Sequence, residues 1–212
     1  MPALPESILL CIAAPLLIAL PFLRPESRAL AIHFCLAMLA CLASGYVSGA
    51  ISILRSISPE DIAVYFSPLI EETSKLLPVL YVLLANNADD TQLFQIAPAI
   101  GTGFATFENC CYLISSTPQS TLQMLVRGMA VGVMHVGCTI ILVIGLVFAR
   151  KHRVFMLSST LGALALAQTL HALYNLLVSI PGIPAYVGYG LPLLAIALLM
   201  FTGRKKRFCC QR

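Results

Sequence analysis

Residues 67–84 read "SPLIEETSKLLPVLYVLL", and the fold turns on whether this stretch crosses a membrane. Apart from Glu71, Glu72 and Lys75 it has the composition of a span. A charge at bilayer depth costs about 2.5 to 3.5 kcal/mol on insertion scales, so three ionisable groups in one apolar run point by default to function.

The rest of the chain supplies the setting. Of 212 residues, 59% are hydrophobic and 10% charged, whereas soluble domains carry roughly 25% charged residues. The composition is that of an integral membrane protein. A span takes about 20 mainly apolar residues, and seven runs qualify, at 7–23, 29–54, 61–85, 93–115, 122–149, 154–180 and 183–202. Between them lie short turn-forming loops such as RPES at 24–27, NNADD at 86–90, STPQS at 116–120 and PGIP at 181–184. The expected fold class is all-α: a polytopic membrane helical bundle of about seven transmembrane helices, with residues 1–212 forming a single integral membrane domain. The first run follows MPALPES, which has no basic residue, and precedes no small-residue cleavage pattern, so it reads as a retained span and not as a signal peptide.

Charge placement sets the orientation. With seven spans, Arg24, Arg28, Arg150, Lys151, Arg153, Arg204, Lys205, Lys206, Arg207 and Arg212 fall on one side, and the other side receives little beyond Arg55 and Arg127. Positive residues collect on the cytoplasmic side, so the N-terminus is expected outside and the C-terminus in the cytoplasm. The formal charge of +4 therefore belongs to span ends and signals no nucleic-acid partner. Cys11, Cys35, Cys41, Cys110, Cys111 and Cys138 lie in apolar runs and read as small core residues. Cys209 and Cys210 follow RKKRF, where reversible acylation is chemically plausible. Gly45 with Gly49, and Gly128 with Gly132, form GxxxG pairs read as helix-packing contacts. No internal repeat appears, which counts against the inverted-repeat plan of many transporters.

Few ionisable side chains remain inside the spans: His33, Glu71, Glu72, Lys75, Glu108, Arg127, His135 and His171. At 1.5 Å per residue, Glu71 lies about 15 Å from the outer end of its span, Glu108 about 10 Å, His135 about 20 Å and His171 about 14 Å. Four helices thus deliver carboxylate or imidazole to one layer. Glu71 and Lys75 are four apart and share a face, as do His171 and Asn175, and Phe104 and Glu108. Pro68 is expected to deny the Val64 carbonyl its helical partner, and Pro78 the Ser74 carbonyl. Backbone groups freed at membrane depth survive only beside protein or water, so this span is expected to line a wet cavity.

Two adjacent carboxylates in a poorly hydrated site cannot easily both ionise, and the one that keeps its proton can serve as general acid or base. Glu108, His135 and His171 could bind Zn2+ while leaving a position open for water. In a metal-free scheme a Glu activates water while His171 and Asn175 stabilise the oxyanion. Both schemes lead to peptide-bond hydrolysis. Set against them are structural roles: a Glu–Lys ion pair, a snorkelling Arg127 at a span end, a packing His135. His33 and His152 read as structural and Asn109 as an interhelical hydrogen-bonder.

In order along the chain, "LIEETSKLL", "GFATFENCCYL", "VRGMAVGVMHVG" and "HALYNLL" resemble the PrsW family of intramembrane proteases, within the superfamily of CAAX- and bacteriocin-processing proteases. The resemblance covers about residues 60–180. It implies that Glu71, Glu72 and Lys75 are the EExxK motif, Phe104 and Glu108 the FxxxE motif, and His135 and His171 the histidines of the later spans, with Asn175 at the variable polar position after them. Catalytic residues are then Glu71, Glu72, Glu108, His135 and His171, supported by Lys75, Asn175 and Arg127. The implied activity is that of an intramembrane endopeptidase, metal-dependent or glutamate-type. Its substrate would be a membrane-anchored protein such as an anti-sigma factor, cut on the extracytoplasmic side of a bacterial or archaeal plasma membrane. A catalytically silent seven-span scaffold, or a small proton-coupled transporter, is the alternative on the same architecture.

Overall fold

Proline and serine mark where the helices begin. Pro5 and Pro25 stand in first turns, where a missing N–H is not needed. Ser120 and Gln123 form a capping box, each side chain holding the other's backbone N–H. The computed structural model describes residues 4–85, 88–115 and 120–209. Seven long helices follow one another among these residues: α1 (Pro5–Ala19), α2 (Pro25–Arg55), α3 (Ser67–Ala85), α4 (Asp90–Ser115), α5 (Thr121–Lys151), α6 (Met156–Ser179) and α7 (Ile183–Cys209). They coincide with the seven apolar runs. Cys210 and Arg212 lie outside the described residues, as do the side chains of Arg204, Lys205, Lys206, Arg207 and Cys209.

By length and apolarity, four stretches among the described residues could cross a membrane: Pro5–Phe22, Pro25–Arg55, Thr121–Lys151 and Arg153–Ser179, with a shorter apolar stretch at Ile183–Ala195. The helices that carry Glu71, Glu72, Lys75 and Glu108, α3 and α4, are not among the four.

α3 is the hub and touches α2, α4, α5 and α6, while the broadest contacts run between α2 and α4, α4 and α5, and α5 and α6. One apolar core joins α2, α3, α4 and α5 around Met38, Val79, Ile100, Phe104 and Val143. A second joins α4, α5, α6 and α7 around Ala105, Met134, Leu142 and Tyr174. Between helices in lipid, close packing and hydrogen bonds drive association more than apolar burial does. The close approaches are made at glycines, but not at those of the GxxxG pairs. Around Gly45, Gly49 and Gly132 there is open space, and a methyl at Gly128 would meet only the Asn109 amide at 3.8 Å. Instead α4 presses on α5 at Gly101, where a Cβ would stand 2.5 Å from the Val136 Cα, and on α2 at Gly103, where it would strike the Phe34 carbonyl.

The entry to α3 departs from a regular helix. Ser58 accepts the Asp61 N–H at 3.1 Å and starts a short turn, Pro59–Asp61. A π turn, Ile62–Phe66, follows and closes with the Ser67 N–H on the Ile62 carbonyl. In that register the N–H absent at Pro68 is the one that would have reached Ala63, five residues back, and not Val64 as α-helical counting expects. Opposite this end, Arg150 and Lys151 hold Asp90, with Lys151 at 3.0 Å, and Arg150 also donates to the Ala88 carbonyl at 2.6 Å. The basic end of α5 is thereby tied to the start of α4.

Candidate active site

Helical spacing decides what each helix offers. Glu72 and Lys75 are three apart on α3 and fully buried, and the ammonium donates to Glu72 Oε1 at 2.5 Å. Lys75 also meets Nδ1 of His135 on α5 at 2.9 Å and lies 5.1 Å from the Phe104 ring centre. From α6, Nδ1 of His171 meets the same Glu72 oxygen at 2.7 Å. From α4, Oε2 of Glu108 faces Nε2 of His135 at 2.5 Å. Arg127, near the start of α5, donates to Asn109 Oδ1 at 2.5 Å, reaches Glu108 Oε1 at 3.5 Å and stacks 3.5 Å from the Tyr112 ring centre. A continuous polar chain, from His171 through Glu72, Lys75, His135 and Glu108 to Arg127, thus links four helices.

The donors fix the tautomers. Ammonium groups only donate, so Nδ1 of His135 accepts and its Nε2 carries the proton towards Glu108. An ionised carboxylate only accepts, so Nδ1 of His171 donates to Glu72 and its Nε2 presents a bare lone pair. That lone pair stands 3.7 Å from Glu71 Oε2, a buried oxygen with no hydrogen-bond partner among the described residues. The two imidazoles meet edge to face with centroids 5.0 Å apart.

One ligand atom each from Glu71, His135 and His171 falls within 4.8 Å of the others. The carboxylate grouped with the histidines is that of Glu71, where the sequence, read by depth, suggests Glu108. Glu108 stands beside His135 instead. A zinc-type ion there would take an oxygen of Glu71, Nε2 of His171 and Nε2 of His135 once its proton has passed to Glu108, with a further position left open, and Glu72 holds His171 by its other nitrogen as carboxylates hold ligating histidines. The unpartnered Glu71 oxygen fits the same role.

Access is uneven. Side chains of Glu72, Lys75 and His135 are closed off, whereas Glu71 is 15% and Glu108 29% exposed. The layer therefore opens along the edge defined by these two carboxylates. The cavity that α3 lines, about 550 Å³ against α2, is walled mainly by apolar groups such as Leu36, Leu39, Leu77 and Pro78, with Ser74, in place of the wet cavity expected along this helix; a further one of about 360 Å³ between α5, α6 and α7 is lined by Met134, Leu173 and Leu177.

The remaining sequence candidates fall as follows. Arg127 does not snorkel: its side chain is 14% exposed and engaged as described. Asn109 bonds between helices, as expected. Asn175 donates its amide to the Ala63 carbonyl at 2.9 Å. His33 donates Nδ1–H to the Ala29 carbonyl at 2.6 Å, within its own helix and away from the layer. Gln168 is absent from the sequence candidates, although it donates to the Leu69 carbonyl at 3.1 Å and lies 3.3 Å from Thr73 Oγ1. A signal for it exists: it is a polar residue three before His171 on an apolar helix, hence on the His171 face.

Residues 26–202 match the family described as PrsW family intramembrane metalloprotease. No curated protein and no solved structure matches the chain. The match spans α2 to α7 and includes every residue of the polar chain, and a buried Glu–His set able to hold a metal is what a metallopeptidase needs. The chain belongs to the PrsW family of intramembrane metalloproteases and is a peptidase.

Proposed function

We propose that the chain is an intramembrane endopeptidase that hydrolyses one peptide bond of a membrane-anchored protein on the extracytoplasmic side of the plasma membrane. An anti-sigma factor is the substrate type that the family resemblance suggests. In this reading all seven helices span the bilayer, with the N-terminus outside and the basic C-terminus in the cytoplasm. The observation that carries the chemistry is the unpartnered Glu71 oxygen facing the bare Nε2 of His171 at 3.7 Å, with Glu72 Oε2 also buried and without a hydrogen-bond partner among the described residues.

Glu71, His135 and His171 would hold the ion, and a Zn2+ bound there supplies Lewis acidity and an activated water. Glu72 keeps His171 in the tautomer that frees Nε2. Lys75 holds His135 by Nδ1 and so directs its Nε2–H at Glu108; His135 becomes a ligand only when that proton passes to Glu108. Glu108, the most open carboxylate of the set, is placed to take the proton that the attacking water loses, and Arg127 holds its other oxygen. The proton then passes to the departing amine as the peptide bond breaks, leaving a new carboxylate on one product. These proton positions serve equally when a carboxylate alone activates the water.

The test compares membrane proteins released or shortened in cells carrying the intact chain with those in cells carrying Glu71→Gln at equal membrane abundance. At least one membrane-anchored protein is expected to be cut in the first cells and intact in the second. Identical profiles would remove the endopeptidase reading. A C-terminal tag reached only after the cytoplasmic face is opened is expected, and one reached from outside would overturn the orientation.

A further inference from the structure

Pro68 leaves a backbone carbonyl without its partner directly upstream of the catalytic glutamates, and the structure shows what fills the gap. In the π turn Ile62–Phe66 the donor owed to the Ala63 carbonyl is residue 68, and proline has no N–H. The Asn175 side chain donates there at 2.9 Å, across 112 residues of sequence. A carbonyl only accepts, so it is the NH2 of Asn175 that points at Ala63.

Asn175 does not act alone on its helix face. Gln168, His171 and Asn175 recur at helical spacing along α6 and meet, in order, the Leu69 carbonyl at 3.1 Å, Glu72 Oε1 at 2.7 Å and the Ala63 carbonyl at 2.9 Å. The contact between His171 and Glu72 is thus bracketed by two side-chain amides that grip the backbone of the helix opposite. Rotation is what they control. A π turn takes in one extra residue, and each residue turns an α-helix by about 100°. Were the turn to relax to α-helical geometry, Glu71 and Glu72 would swing by about that angle relative to the segment anchored at Ser58.

We propose that Asn175 is a positioning residue: its amide substitutes for the N–H that Pro68 lacks, closes the π turn on Ala63 and fixes the rotation of α3 that brings Glu71 and Glu72 to His171. The inference concerns the geometry of the site and rests on the endopeptidase reading only where cleavage is the readout. It gives Asn175 a backbone-holding role in place of direct oxyanion binding: one of its two N–H donors is engaged by Ala63, and that bond fixes where the amide stands.

The experiment is a double-substitution cycle in the full-length protein. Asn175→Ala is expected to lower kcat for cleavage about 10 to 100-fold, the range seen for groups that orient ligands. Pro68→Ala restores a backbone N–H to the segment, so adding Asn175→Ala in that background is expected to cost little further activity. An oxyanion donor could not be replaced in this way. The same four proteins are melted in detergent, where loss of the bond should lower the transition by about 2 to 4 °C with Pro68 present and by under about 1 °C in the Pro68→Ala background. Equal effects of Asn175→Ala in both backgrounds overturn the proposal. Cleavage decides where Pro68→Ala is active, and melting decides where it is not. If the intact chain cleaves nothing, the endopeptidase reading fails, while the melting cycle still reports on the bond between Asn175 and Ala63.

Discussion

The ammonium of Lys75 donates to Nδ1 of His135 at 2.9 Å, and this contact decides that His135 carries its other proton on Nε2, 2.5 Å from Glu108. Lys75 is therefore more than a counter-ion for the glutamates. Through Glu72 on one side and His135 on the other it sets the protonation pattern of both histidines.

Replacing Lys75 by Met should strand the buried Glu72 carboxylate. Breaking one half of a buried pair costs about 3 to 5 kcal/mol, whereas removing both halves is far milder. The Lys75→Met protein is expected to melt well below the intact chain and the Glu72→Gln/Lys75→Met protein close to it, with cleavage lost in both. Thermal unfolding in detergent checks this. An unshifted transition in the single variant would mean that the pair is not closed off from water.

Metal content separates the ligands from their holders. The purified protein is expected to carry about one equivalent of zinc, as a three-ligand catalytic site does, and to lose it in His171→Ala and Glu71→Gln. Glu72→Gln leaves the ligands in place but loosens His171, so it should weaken retention about 10 to 100-fold. Metal analysis after dialysis against graded chelator reads both effects. Full retention by His171→Ala would remove the site.

Arg127 holds Glu108 and Asn109 with two nitrogens of one planar group and stacks on Tyr112. Lysine cannot reproduce that fork. Arg127→Lys and Arg127→Ala are therefore expected to lose cleavage similarly, by about 10 to 100-fold, with membrane insertion unchanged. A snorkelling arginine predicts the opposite, a Lys variant with intact activity. Initial rates on a co-expressed substrate distinguish the two.

Glycine substitutions locate the close helix approaches. Gly101→Ala would press a methyl onto the α5 backbone at His135 and Val136, whereas Gly45→Ala and Gly132→Ala meet open space. The first is expected to lose about 1 to 3 kcal/mol of stability through overpacking, and activity with it. The other two should behave as the intact chain. Melting temperatures of the three variants settle the matter.

The seven helices are legible in the sequence because a long apolar run can satisfy its backbone in lipid only as a helix. The site residues are legible for a related reason, since Glu71, Glu72, Lys75, Glu108, His135 and His171 are too costly at depth to be ornamental. Pairing is not legible. Neighbouring glutamates on a helix point about 100° apart, and which of them faces which imidazole depends on the π turn before them, a register shift that spacing alone does not announce. That is why helical counting points to Val64 for the orphan carbonyl; shared depth groups Glu108 with His135 and His171 but does not say which carboxylate faces which imidazole. The GxxxG pairs mislead for another reason: the motif states that a close approach is permitted, and only the tertiary arrangement shows where one happens.

α1 stands apart from all this. Ala13 is its one buried side chain among the described residues, its contacts are with α2 and α4, and the family match begins at residue 26, after it. None of the six ionisable groups at the centre has a hydrogen bond to it. The working machine is thus a six-helix body with an outrigger. Substitutions on its outer side are therefore expected to leave the hydrogen bonds of the central layer in place.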